Sequence, residues 1–148
     1  MKTKKIGKIY TYSLLLVFLF IAIISCNKNP YNRLLGTWEN KQQTYTETYI
    51  YDGINFDAGS YKMKVKSIIW SSDASGIIYG RYITNSFYTN VVGKYYAVSF
   101  KDLTDTSISI SGAYKDGKMS ADTLVEAITE FTINNGYYSF YSSCKKVK

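Results

Sequence analysis

The chain has 148 residues, 18 Lys and Arg against 11 Asp and Glu for a formal charge of +7, 16 tyrosines and no histidine. Without imidazole there is neither the usual general base near neutral pH nor the usual transition-metal ligand, and a Ser-His-Asp arrangement is excluded. Neither a Cys-x-x-Cys pair nor a glycine-rich loop of phosphate-binding spacing is present.

The N-terminus carries Lys2, Lys4, Lys5 and Lys8 with no acid, then an unbroken apolar run from Leu14 to Ile24, then Ser25-Cys26. A spanning helix needs about 20 apolar residues. This run is shorter and falls in the range of a secretory signal, roughly 7–15. The alternative is a plain signal or an uncleaved anchor. The cysteine placed directly after a small residue resembles the lipobox of bacterial lipoproteins. That resemblance implies a signal peptide over 1–25 and a diacylglycerol on the thiol of Cys26. It implies a mature chain held on a membrane outside the cytoplasm. Asn27, where an aspartate would retain the protein in the inner membrane, points to an outer-membrane lipoprotein.

Removal of the signal takes four lysines, leaving 14 basic and 11 acidic residues, or +3. Lys145, Lys146 and Lys148 form a basic tail. The remaining body is neutral and does not read as a nucleic-acid binder, which needs a basic face. If Cys26 is acylated, Cys144 has no intramolecular partner. If it is not, a Cys26–Cys144 bridge is open in an oxidising compartment.

Residues 26–33 are polar, contain Pro30 and read as a short membrane tether; 34–148 read as one domain. Thr44 to Tyr51 alternates, with Tyr45, Glu47, Tyr49 and Tyr51 on one side, before an Asp52-Gly53 turn. In Tyr61 to Trp70, Tyr61, Met63 and Val65 face one way and Lys62, Lys64 and Lys66 the other, a strand with one dry face. A loop over 71–76 leads to a strand from Ile77 to Thr84, with Gly80 marking a bulge or close approach. Strands are expected over Phe87 to Val92, Lys94 to Lys101 and Thr106 to Ser111, with a turn from Asp102 to Asp105. Leu124, Ala127, Ile128 and Phe131 then switch to helical spacing, with Thr123 and Glu126 spaced as a capping box. Asn134-Asn135-Gly136 stops that helix, and Tyr137 to Cys144 returns to a strand. The expected fold is all-β: an antiparallel, about eight-stranded barrel with one helix before the last strand. Another antiparallel β arrangement is the alternative.

Leu35-Gly36-Thr37-Trp38, opening the body, resembles the Gly-x-Trp signature of lipocalin-like proteins. The resemblance implies that Gly36 permits a tight backbone and that Trp38 plugs the barrel base. Thr104-Asp105-Thr106 echoes a second lipocalin motif. That family stacks a late arginine on the tryptophan; no arginine follows Arg81, so Lys145 or Lys146 would have to substitute, without the planar guanidinium stack. Ser75-Gly76-Ile77-Ile78-Tyr79 is similar to the Ser-Gly-x-x-Tyr loop of small, lipid-anchored lysozyme inhibitors.

No pair of carboxylates is marked for catalysis. Glu126 and Glu130 share the helix, and Asp102 and Asp105 share a turn, too few oxygens for calcium. The expectation is a non-enzymatic lipoprotein with no metal and no cofactor. Its barrel binds a small apolar or amphiphilic ligand, or else exposed tyrosines recognise an envelope or host protein, or the Ser75–Tyr79 loop acts as the resemblance to lysozyme inhibitors implies. Tyrosines inside the barrel would line a partly polar pocket, unless cross-strand pairing alone accounts for them.

Overall fold

In the computed structural model, which describes residues 29–147, eight antiparallel strands follow one another around a closed barrel. They are β1 (Gly36–Lys41), β2 (Thr46–Tyr51), β3 (Asn55–Asp57), β4 (Tyr61–Ser72), β5 (Ser75–Asn85), β6 (Tyr95–Lys101), β7 (Ser107–Gly112) and β8 (Ser142–Lys146). Trp38 pairs with Lys146 and Glu39 with Lys145, which brings β8 back to β1 and leaves no free first or last strand. Helix α1 (Pro30–Leu34) precedes the barrel and α2 (Leu124–Glu130) precedes β8. The expected signal segment 1–25 and Cys26 lie outside the described residues.

The strand order gives the barrel two unlike ends. Residues 52–54, Asp73-Ala74 and 102–106 turn at one end, where α1 also sits; this is the base. Residues 42–45, 58–60, 86–94 and 113–141 connect strands at the other end, the mouth. Period-two patterning drives the wall. In β4, Met63 is fully buried while Lys64 and Lys66 are exposed. Gly80 marks a close approach, because a Cβ there would lie 2.8 Å from the Met63 sulfur and 2.9 Å from the Lys64 carbonyl oxygen. Trp38, Phe56, Met63, Ile78, Val98 and Phe100 are all buried and belong to one core cluster.

Three segments depart from the sequence expectation. Phe87 to Val92 is not a strand. The buried Asn85 side chain accepts hydrogen bonds from the amides of Phe87 (3.0 Å) and Tyr88 (2.8 Å), and a single 3₁₀ turn over Thr89–Val91 follows. An Asn that satisfies the backbone this way competes with a ladder and ends it. The eighth strand is instead β3, whose three residues are too few to show a period. Tyr137 to Cys144 pairs only from Ser142 onward. Residues 137–141 bond to other partners, with the Tyr138 hydroxyl on the Phe131 carbonyl (3.0 Å) and the Tyr141 and Ser99 hydroxyls 2.9 Å apart.

The expected tether also differs in form. From Pro30 it is helical, with Pro at the first turn, where its missing N–H costs nothing, and Asn29 capping Tyr31 N (3.1 Å). Helix α2 forms where predicted. Thr123 Oγ1 accepts from Glu126 N (3.1 Å), while the Glu126 carboxylate takes the Asp122 amide (3.1 Å). Its buried face carries Ala127, and it lies against β5 and β6.

Candidate ligand site at the barrel mouth

The base is filled. Gly36 sits at φ 124°, a backbone conformation that L side chains rarely adopt, and a Cβ there would meet Lys146 Cε at 2.8 Å. Two residues on, Trp38 is 1% exposed and donates its Nε1–H to the Leu34 carbonyl at 3.0 Å. Lys146 crosses above it, with Nζ 4.8 Å from the ring centroid and 3.0 Å from the Arg33 carbonyl oxygen. An ammonium over an indole face is attracted by the ring quadrupole. Of Lys145 and Lys146, it is Lys146 that covers the Trp38 ring. Gly36, Trp38 and Lys146 close the floor and are not part of the wall of the pocket at the mouth.

The mouth is open. A pocket of about 510 Å³ lies between the upper half of β2 and the β3–β4 hairpin, within the usual range for small-molecule sites. Its origin is a short seam. β2 meets β3 through only two pairs, Ile50 with Asp57 and Tyr51 with Phe56, so Thr46 to Tyr49 run on without a partner in β3. The pocket wall includes Glu47, Tyr49, Tyr61 and Tyr96. Tyr61 meets Tyr96 edge-on with centroids 5.4 Å apart and Tyr82 edge-on at 5.7 Å, while Tyr82 and Tyr96 stack at 4.9 Å. Glu47 Oε2 accepts from Asn40 Nδ2 (3.0 Å) and the Tyr49 hydroxyl (3.4 Å). Burial pushes the Tyr49 hydroxyl up to about 12 and raises Tyr61, Tyr82 and Tyr96 as well. These phenols are neutral hydrogen-bonding groups at any ordinary pH.

A smaller hollow of about 310 Å³ lies among the 86–94 and 113–141 connections, with Tyr88, Val91, Tyr114 and Lys118 in its wall. The connections at the mouth also expose apolar rings, including Phe87 (77%) and Phe140 (89%).

The other sequence candidates have structural surroundings. Glu126 and Glu130 both pair with Lys118, at 3.7 and 3.3 Å. Asp102 takes a left-handed turn conformation (φ 55°) and accepts from Ser109 Oγ at 3.3 Å. Among the described residues no group of three or more His, Cys, Asp or Glu is placed to hold a metal. Among the described residues Cys144 has no disulfide partner; it is buried in β8, and burial pushes its thiol up to about 11. Ser75 to Tyr79 is not a loop but the start of β5. Tyr79 is 2% exposed and gives its hydroxyl to the Phe131 carbonyl (3.1 Å), so it offers no protruding ring.

Alternation along the chain puts Glu47 and Tyr49 on one stripe. Tyr61 and Tyr96 lie on different strands and join them only through barrel register, which alternation does not reveal.

No family model matches the chain, and no curated protein matches it. Among solved structures it is similar to the crystal structure of Treponema pallidum Tp0751 (Pallilysin), at 11% identity and a TM-score of 0.47, covering 79% of this chain and 82% of that one. No helix among the described residues is long and apolar enough to cross a membrane.

Proposed function

We propose that the chain is a lipid-anchored, non-enzymatic lipoprotein of the cell envelope whose barrel mouth takes up a small apolar or amphiphilic ligand. The observation that carries the ligand reading is the tyrosine-walled pocket of about 510 Å³ above a plugged base. The anchor reading rests on the lysine-rich start, the short apolar run and Ser25-Cys26. The two fit together. The described chain enters through α1 at the base, so an acylated Cys26 three residues before Asn29 sets the base toward the bilayer and the mouth away from it.

A second reading is favoured by the exposed Phe87 and Phe140 rings at the mouth. Large exposed aromatics at low entropy cost suit recognition of a macromolecular partner.

The test uses the processed protein from envelopes. Cys26→Ala is expected to release it from the membrane fraction and to abolish acylation, read by fractionation and intact mass. Small molecules that co-purify are identified by mass spectrometry and compared with Ser60→Trp, which puts an indole into the pocket wall. A ligand present in the parent and absent from Ser60→Trp supports the reading. An identical small-molecule complement in both proteins rejects it.

A further inference from the structure

Resting on the ligand-binding reading above, we propose that the mouth pocket selects an organic cation, an ammonium head carrying methyl or short alkyl groups. The wall brings three tyrosine rings, those of Tyr49, Tyr61 and Tyr96, together with one carboxylate, Glu47, and no lysine or arginine. Tyrosine faces attract a desolvated cation through the ring quadrupole, and alkylated ammonium ions are the cations that lose least on leaving water.

The acid sets the sign. Glu47 is half-buried on the wall and oriented by Asn40 and by the Tyr49 hydroxyl. A neutral apolar guest would strip water from that carboxylate and return nothing. An anionic guest would add repulsion. An alkylammonium guest compensates the charge and packs its methyl groups on the rings. Neighbouring lysines are engaged outside the pocket, Lys41 with Glu39 at 3.3 Å and Lys62 with Asp57 at 3.7 Å. The phenols keep their protons, so the acid remains the only formal charge on the wall.

The experiment compares choline with its neutral isostere 3,3-dimethyl-1-butanol by titration calorimetry on the full acylated chain in nanodiscs. Choline is expected to bind at one site, with the isostere about tenfold weaker or worse. Glu47→Gln keeps the size and one acceptor and is expected to weaken choline about tenfold while the isostere, spared the desolvation of a charge, binds as well as before or better. Tyr61→Phe, which keeps the ring, is expected to retain choline binding, and Tyr61→Leu to lose it. A melting curve on each variant separates lost binding from lost folding. Equal binding of choline and isostere overturns the choice of a cation but leaves the ligand reading standing. No binding of choline, with a co-purifying neutral ligand displaced by Ser60→Trp, does the same. No binding of either compound, with an identical complement of small molecules in parent and Ser60→Trp, overturns both.

Discussion

Gly36 illustrates how two constraints fall on one residue. Its φ of 124° is strained for any L side chain, and Lys146 Cε stands 2.8 Å from where a Cβ would be. The second constraint is soft, because a lysine stem swings aside; the first is not. Gly36→Ala is therefore expected to destabilise the barrel by about 1–3 kcal/mol. Lys146→Ala should not rescue it, with a coupling below about 0.5 kcal/mol in a double-mutant cycle by urea denaturation. A rescue would show that the clash, not the backbone, fixes this glycine. The Gly-x-Trp pattern of residues 36–38 was legible in the chain. The choice between Lys145 and Lys146 was not, because it depends on which residue of β8 falls opposite Trp38. Glu47 was legible as one member of a stripe. Its role as a pocket wall was hidden, since that needs Tyr61 and Tyr96 brought in from other strands.

Among the elements, the β2–β3 turn is the most sensitive to acid. Asp52 Oδ1 accepts from the amides of Ile54 (2.8 Å) and Asn55 (2.6 Å), and Oδ2 from Asn55 Nδ2 (3.0 Å). The Asn55 side-chain bond, then the two amides, hold this carboxyl down to about 2. A depressed carboxyl stabilises the folded state above its unfolded value near 3.9, and that stabilisation is lost as pH falls toward 2. Asp52 is almost fully exposed to solvent, so screening limits the effect to about 0.5–1 kcal/mol, a few degrees in melting temperature. Thermal melts at pH 5 and pH 2.5 are expected to differ by that much more in the parent than in Asp52→Ala; equal differences would remove Asp52 from acid stability. This same turn precedes the one strand that patterning missed. Eight strands were expected and eight are present, yet Phe87–Val92 was counted where Asn55–Asp57 belongs. Asn85 spends its side chain on the backbone at the first place, and three residues are too few for alternation at the second. Helix α2 was legible because its apolar spacing and its Thr123 cap agree with each other.

At the scale of the whole molecule, tyrosine burial makes alkali the solvent condition that opens the fold. Eight phenols, those of Tyr49, Tyr51, Tyr61, Tyr79, Tyr82, Tyr96, Tyr137 and Tyr138, are raised, in each case chiefly by burial, and Tyr49 and Tyr137 are pushed up to about 12. A group whose folded pKa is raised stabilises the fold fully below its unfolded value near 10, and the stabilisation drains as pH rises through the folded value. Cys144 acts in the same direction between about 8.5 and 11. Tyrosinate absorbance at 295 nm from this buried set is expected to appear together with loss of the far-ultraviolet β signal between pH 10 and 12. Complete ionisation while the β signal persists would contradict the buried placement.

The ring of strands is unevenly laced. β4 and β5 share ten paired positions, whereas β2 and β3 share two. Thermal motion concentrates where rungs are fewest. The β1–β8 seam also has two pairs, but there the Trp38 indole bonds the Leu34 carbonyl and Lys146 covers the ring, whereas Thr46 to Tyr49 are laced to β1 on one side alone. A guest at the mouth therefore meets a wall braced on one side and a floor that is closed.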